Sequence, residues 1–177
     1  TRSTLLRTQS LKASSKLTRV GTLSLITKTE KMNATTIEHY LSSRCRGQFM
    51  GVFSSDTLPT SIKKRPAIIV CNTDPSDRGG EHWICIYIDR NRCGEFFDSF
   101  GRRPCQPFCS FMDKHCINWT YNDRQLQHIL SSLCGAYCVF FAIFKSYGHD
   151  MHRIVCAFTD NPMLNDRIMD RFIRKLK

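Results

Sequence analysis

At 177 residues, with 41% hydrophobic side chains and 12 phenylalanines, the chain is sized for one globular domain with its own core, and no apolar run approaches the roughly 20 residues of a membrane helix. Its net charge of +11 is unevenly placed: residues 1–31 hold +6, from Arg2, Arg7, Lys12, Lys16, Arg19, Lys28 and Lys31 against Glu30 alone, which leaves a mild +5 for the rest. Ten cysteines with no visible signal peptide, several of them (Cys71, Cys85, Cys138, Cys156) inside apolar runs, predict a reducing intracellular compartment, cytoplasmic or nuclear, and not a disulfide scaffold.

Residues 1–31 are rich in Ser and Thr and lack aromatics and cysteine, so they are expected to form a disordered basic extension, readable as a linker, an upstream extension or a transit peptide. A folded domain is expected over 32–177. It should open with a helix over 34–44, with Glu38 in its first turn, and continue into a loop with Gly47, Gly51 and Pro59. A β-branched strand is predicted over 66–71, then a loop over 72–80. A strongly apolar strand over 82–88 should turn back through a loop of about six residues into a second strand over 95–98. A short helix within 104–114, a strand over 116–121, a helix over 134–147 ended by Gly148, and an amphipathic helix over 165–176 complete the order, with no internal repeat.

The chemistry concentrates in four residues. Ser131-Ser132-Leu133-Cys134-Gly135 runs directly into an apolar helix, so Cys134 falls in the first turn, where unpaired backbone N–H groups and the positive end of the helix dipole stabilise a thiolate. Upstream lie His82, Asp98 and Gln127: a base, an orienting acid and an amide donor. Each also has an ordinary reading. Cys134 can be a buried small hydrophobe, His82 a strand histidine and Asp98 the cap of a turn, while Gln127 alone says little. The set is stronger than its members. Segments 46–64 and 72–80 should flank the site, with Asp74 and Asp77 as polar contacts or as plain solvated turns. Cys105, Cys109, His115 and Cys116 offer a zinc-module alternative with poor spacing, so no metal is expected. Arg102, Arg103, Arg171, Arg174, Lys175 and Lys177 form at most a modest basic patch for weak nucleic-acid binding.

Four motifs in one order carry a resemblance: Gly80-Glu81-His82-Trp83, Phe97-Asp98-Ser99-Phe100-Gly101, Gln127, and Leu133-Cys134-Gly135-Ala136-Tyr137-Cys138. Together they resemble the adenovirus-type cysteine proteases (adenain-like), of the same clan as the SUMO and ubiquitin-like-protein proteases. Asp98-Ser99 matches the SUMO proteases, whereas adenoviral enzymes usually carry Glu there. The spacing of Gln127 matches the adenoviral side, and Leu133 stands where SUMO proteases usually have Asp. The closing segment Asn165 to Ile173 resembles adenovirus-like proteases of Maverick-type transposons, which suggests a viral or transposon-derived copy.

The resemblance implies a papain-like α+β fold, with a small mixed sheet and a central helix that carries the nucleophile. It implies a monomeric peptidase acting on protein substrates through Cys134, His82 and Asp98, with Gln127 as oxyanion donor and Trp83 beside the site. Cys116 stands where adenoviral enzymes join an activating peptide by disulfide, and those enzymes also use DNA as a cofactor; the residues themselves require no cofactor. SUMO-type deconjugation, acyl transfer by the same triad, and a catalytically inactive or nucleic-acid-associated binding module stay open as alternatives.

Overall fold

The computed structural model describes residues 31–176; apart from Lys31, the predicted N-terminal extension lies outside the described residues. The architecture is α+β. Strands β1 (Phe49–Phe53), β2 (Ala67–Asn72), β3 (Trp83–Ile88), β4 (Cys93–Phe97) and β5 (Asn118–Tyr121) form a mixed sheet in the order β1-β2-β3-β4-β5. The two outer pairings are parallel and the two inner ones antiparallel. The helices are α1 (Ala34–Ser42), α2 (Phe108–His115), α3 (Cys134–Ser146), α4 (Met151–Cys156) and α5 (Pro162–Leu176).

The period-2 alternation of a strand sorts the apolar residues of the sheet into two cores. Ile68, Val70, Cys85 and Phe97 face the layer of α1, α3 and α5. Ala67, Ile69, Cys71, Ile84, Ile86, Ile88 and Phe96 face the opposite side, where α2 supplies Phe108, Phe111 and Met112. Being covered on both faces makes β2 buried at every position, which is why it reads in the sequence as an unbroken apolar run. Phe97 stacks on Phe141 with ring centroids 4.4 Å apart, fixing α3 against the sheet.

Several boundaries differ from expectation for definable reasons. The Asn33 side chain accepts from the Thr36 N–H at 2.8 Å and caps α1, which places Glu38 beyond the first turn. Residues 49–53 form the edge strand β1 instead of a loop; a register irregularity between Phe49 and Gly51 hides its alternation. The β3–β4 loop spans only residues 89–92, because Asp89 Oδ1 accepts from the Cys93 N–H at 2.7 Å and tightens it. Helix α5 starts three residues earlier than predicted, with Pro162 first and Asn161 Oδ1 accepting from the N–H groups of Met163 and Leu164. The short α4, capped by Asp150, was not anticipated. The end of α3 matches: Gly148, at φ +90°, donates to Lys145 O and His149 donates to Phe144 O, the pairing that closes a helix through a left-handed glycine.

Candidate active site

Because β3 and β4 run antiparallel with Cys85 opposite Phe97, the residue preceding β3 and the residue following β4 emerge at the same end of the sheet. Those residues are His82 and Asp98. Their side chains meet with Nε2 2.6 Å from Asp98 Oδ1. A carboxylate only accepts, so Nε2 carries the proton, and Nδ1 is left for the Cys134 sulfur, with which His82 also hydrogen-bonds. Helix α3 begins at that same end with Cys134 as its first residue, so the three groups come from three elements that converge on one corner.

The start of α3 lacks the usual side-chain cap: Leu133 holds the cap position and makes no capping hydrogen bond. A polar cap there is ordinarily worth on the order of 1 kcal/mol. The backbone groups of Gly135 and Trp83 hydrogen-bond the Cys134 sulfur instead. Burial alone pushes the Cys134 thiol up, but the hydrogen bond and positive charge of His82, together with those two backbone groups, outweigh it and hold the thiol below its ordinary value. Burial likewise acts to lower His82, yet the hydrogen bonds to Asp98 and Cys134 and their charges prevail and raise it to about 9. The pair therefore favours thiolate and imidazolium. By contrast, burial pushes the Cys71, Cys85 and Cys138 thiols well up, as expected of inert core cysteines.

Close support holds this corner. Asp98 Oδ1 also accepts from the Phe100 N–H at 2.8 Å, and the Phe100 ring stacks on the imidazole with centroids 4.8 Å apart. Asn122 brackets the Asp98 backbone, accepting from its N–H at 2.8 Å and donating to its carbonyl at 2.7 Å. The His82 carbonyl accepts from the Thr73 N–H at 2.9 Å. The Trp83 Nε1–H donates to Met32 O at 2.9 Å, and a Cβ on Gly135 would lie 2.8 Å from Met32 Cβ, so glycine is what lets the segment before α1 lie against the nucleophile's helix.

Gln127 lies within the same region, fully buried. Its Oε1 accepts from Ser99 Oγ at 2.6 Å, and its Nε2 donates to Ser131 O at 2.8 Å. These two partners fix which end of the amide is which. The Ser99 carbonyl in turn accepts from the Leu126 and Gln127 N–H groups, tying the acid loop to the strand of chain that bears the amide.

Other sequence-singled residues fall elsewhere. Cys116 packs under α2 at 7% exposure, its sulfur against Gly94, and burial pushes its thiol up to about 11. Asp74 is half-buried and its backbone links to Ser55, while Asp77 is exposed; the two flanking loops are joined by Ser76 donating to Asp56. Among the described residues no group of three or more His, Cys, Asp or Glu is arranged to hold a metal. No helix among them is long and apolar enough to cross a membrane. A surface recess of about 550 Å³ between segment 55–60 and α2 is remote from the site in the chain and shares none of its residues. The supports Ser99, Asn122 and Phe100 were missed as such; only the recurrence of Phe and Gly around Asp98 hinted at a packed loop.

No family model matches the chain. It is 30% identical over 118 residues to the protease of bovine adenovirus 7, covering 56% of this chain and 57% of that protein, so the chain spans a little over half the length of this curated relative. Among solved structures, it resembles the central domain of the Legionella pneumophila protein Lpg1148, with a TM-score of 0.50 at 15% identity over 83% of this chain and 96% of that one. A protease of ASFV aligns with a TM-score of 0.43 and 25% identity over 54% of this chain and 41% of that one. The similarity to an adenoviral protease bears out the resemblance read from the four motifs.

Proposed function

We propose that this adenain-like chain is a cysteine-type peptidase in which Cys134, His82 and Asp98 act as the triad. The single observation that carries the reading is His82 held between two partners, with Nε2 donating to Asp98 at 2.6 Å and the Cys134 sulfur as its other hydrogen-bond partner. That arrangement supplies a thiolate and a proton donor in one unit.

The thiolate attacks the carbonyl carbon of a peptide or isopeptide bond, and the electron pair of the C=O moves to oxygen. The resulting oxyanion needs donors where its charge develops. The uncapped start of α3 provides backbone N–H groups, and the side-chain donor in this reading is the Gln127 amide, whose Nε2 lies 2.8 Å from Ser131 O and 3.5 Å from Ser131 Oγ. His82 then gives its proton to the leaving amine as the C–N bond breaks. Water, deprotonated by the neutral imidazole, releases the acyl group and regenerates the pair.

The activating peptide and DNA implied by the resemblance belong to this proposal too. A mixed disulfide at Cys116 would require α2 to open, since that thiol is buried and held up. Nucleic-acid binding would draw on the basic side chains of residues 1–31, which carry +6, together with Arg102 and Arg103.

The test is labelling of the full chain by iodoacetamide near pH 6, with the modified peptide identified. Selective reaction at Cys134, slowed at least tenfold by His82→Ala, supports the pair and leads to cleavage assays with linear peptides and with SUMO-type fusions, which separate peptidase from deconjugating activity. Equal, slow reaction at all cysteines in folded protein, unchanged by His82→Ala, would overturn a preformed activated pair and leave either a binding module or an enzyme that needs the activating peptide.

A further inference from the structure

The chain joining Gln127 to Cys134 makes an unusual turn. Its ends are buried, Leu126 fully and Leu133 at 9% exposure, yet between them Ile129 is 67% and Leu130 87% exposed. Isolated apolar residues on a surface are ordinary; two consecutive large aliphatic residues at the tip of a turn are not, since such a tip usually carries polar side chains.

The turn is held firmly at its base. Ser131 N–H donates to His128 O at 2.9 Å, Gln127 Nε2 donates to Ser131 O at 2.8 Å, and Leu133 N–H donates to Ser131 Oγ at 3.3 Å. From α5, the Asp166 carboxylate hydrogen-bonds the His128 backbone, the Ser131 hydroxyl and the Tyr137 hydroxyl, while Asn165 Nδ2 donates to Leu126 O at 3.0 Å. A buried polar stem thus projects an apolar tip. The unfavourable exposure is retained by a fixed turn, not by a segment able to fold its side chains inward.

Resting on the peptidase reading, we propose that Ile129 and Leu130 form the wall of an apolar subsite that receives a large aliphatic side chain of the polypeptide substrate beside the scissile bond. The occupant follows from continuity with the reacting centre. A carbonyl attacked by Cys134 with its oxygen directed toward Gln127 lies against the segment that links those two residues. The tip is within three residues of Gln127 and five of Cys134, so a substrate seated there covers it. Burial of one aliphatic side chain against such a wall gives discrimination of roughly tenfold to a hundredfold.

The experiment compares inactivation of the full chain by epoxysuccinyl peptides, which can carry an amino acid on either side of the reactive carbon, in matched Leu and Gly versions. Wild type is expected to react at least tenfold faster with a Leu probe on one side. The Ile129→Ser/Leu130→Ser double variant should lose that preference while its thermal midpoint and its iodoacetamide rate at Cys134 stay unchanged. The inference is overturned if wild type shows no Leu preference on either side, or if the variant keeps it. If iodoacetamide shows no selective, His82-dependent reaction at Cys134, the peptidase reading fails and the subsite falls with it, a result distinct from an active pair without a Leu preference.

Discussion

His82 is the residue through which the site is electrically coupled. Its 2.6 Å bond to Asp98 fixes the tautomer, so Asp98→Asn, which can present an N–H to Nε2 and favour the wrong tautomer, should lower kcat/KM on a cleaved peptide by about 10³ to 10⁴ while leaving the fold intact by circular dichroism. With Gln127 as the proposed oxyanion donor, Gln127→Ala should cost about a hundredfold or more in kcat. The raised His82 value also predicts a pH dependence with a definite sign. Because the folded value is about 9 and the ordinary one 6.5, the stabilisation from the charged imidazole is fully present below about 6.5 and is lost as pH rises through 9. The lowered Cys134 value acts in the opposite sense, its contribution being lost as pH falls through the folded value. Thermal melts of wild type and His82→Gln should therefore differ most near neutrality and converge above pH 9; a gap that widened on the alkaline side would reverse the sign argued here.

At the level of elements, the loop after β4 does two jobs: it delivers Asp98 and it docks onto the chain that bears Gln127. Gly101 makes that docking possible. Its φ is +68°, and a Cβ there would lie 2.6 Å from the Arg124 carbonyl carbon and 2.9 Å from the Gln125 nitrogen, backbone atoms that cannot rotate away. Gly101→Ala should cost about 1–3 kcal/mol in chemical denaturation and reduce peptidase activity beyond the loss of folded protein. This loop also shows how far the sequence could be read. The motif around Asp98 and the helix beginning at Cys134 were legible because strand alternation and helix-start chemistry are local. The buried strands β2 and β3 were legible as apolar runs. Edge strand β1 was not, since a bulge at Phe49/Gly51 breaks its period, and α4 was too short to show one. Nor were Ser99 and Asn122 legible as supports, because their roles depend on partners 28 and 24 residues away in the chain.

Across the whole molecule, the site sits at the seam between the sheet and the α3 layer, whereas the second core, under α2, lies on the far face. Cys134 reaches His82 only if α3 keeps its height and rotation on β3 and β4, and the stack of Phe141 on Phe97 at 4.4 Å is a principal contact that sets both. The ion pair of Lys145 with Glu95 at 2.7 Å, near the other end of α3, fixes its second point of attachment. The two faces should therefore separate stability from alignment. Phe141→Ala and Phe108→Ala each remove a fully buried ring from one core, and each should cost about 3–5 kcal/mol in unfolding free energy. Under conditions where both variants remain folded, Phe141→Ala should also slow iodoacetamide labelling of Cys134 at pH 6, since a tilted α3 parts the sulfur from the imidazole. Phe108→Ala should leave that rate close to wild type. Equal slowing in both variants would mean that the pair depends on overall stability and not on how α3 is seated, and the seam would lose its special place in the account of reactivity.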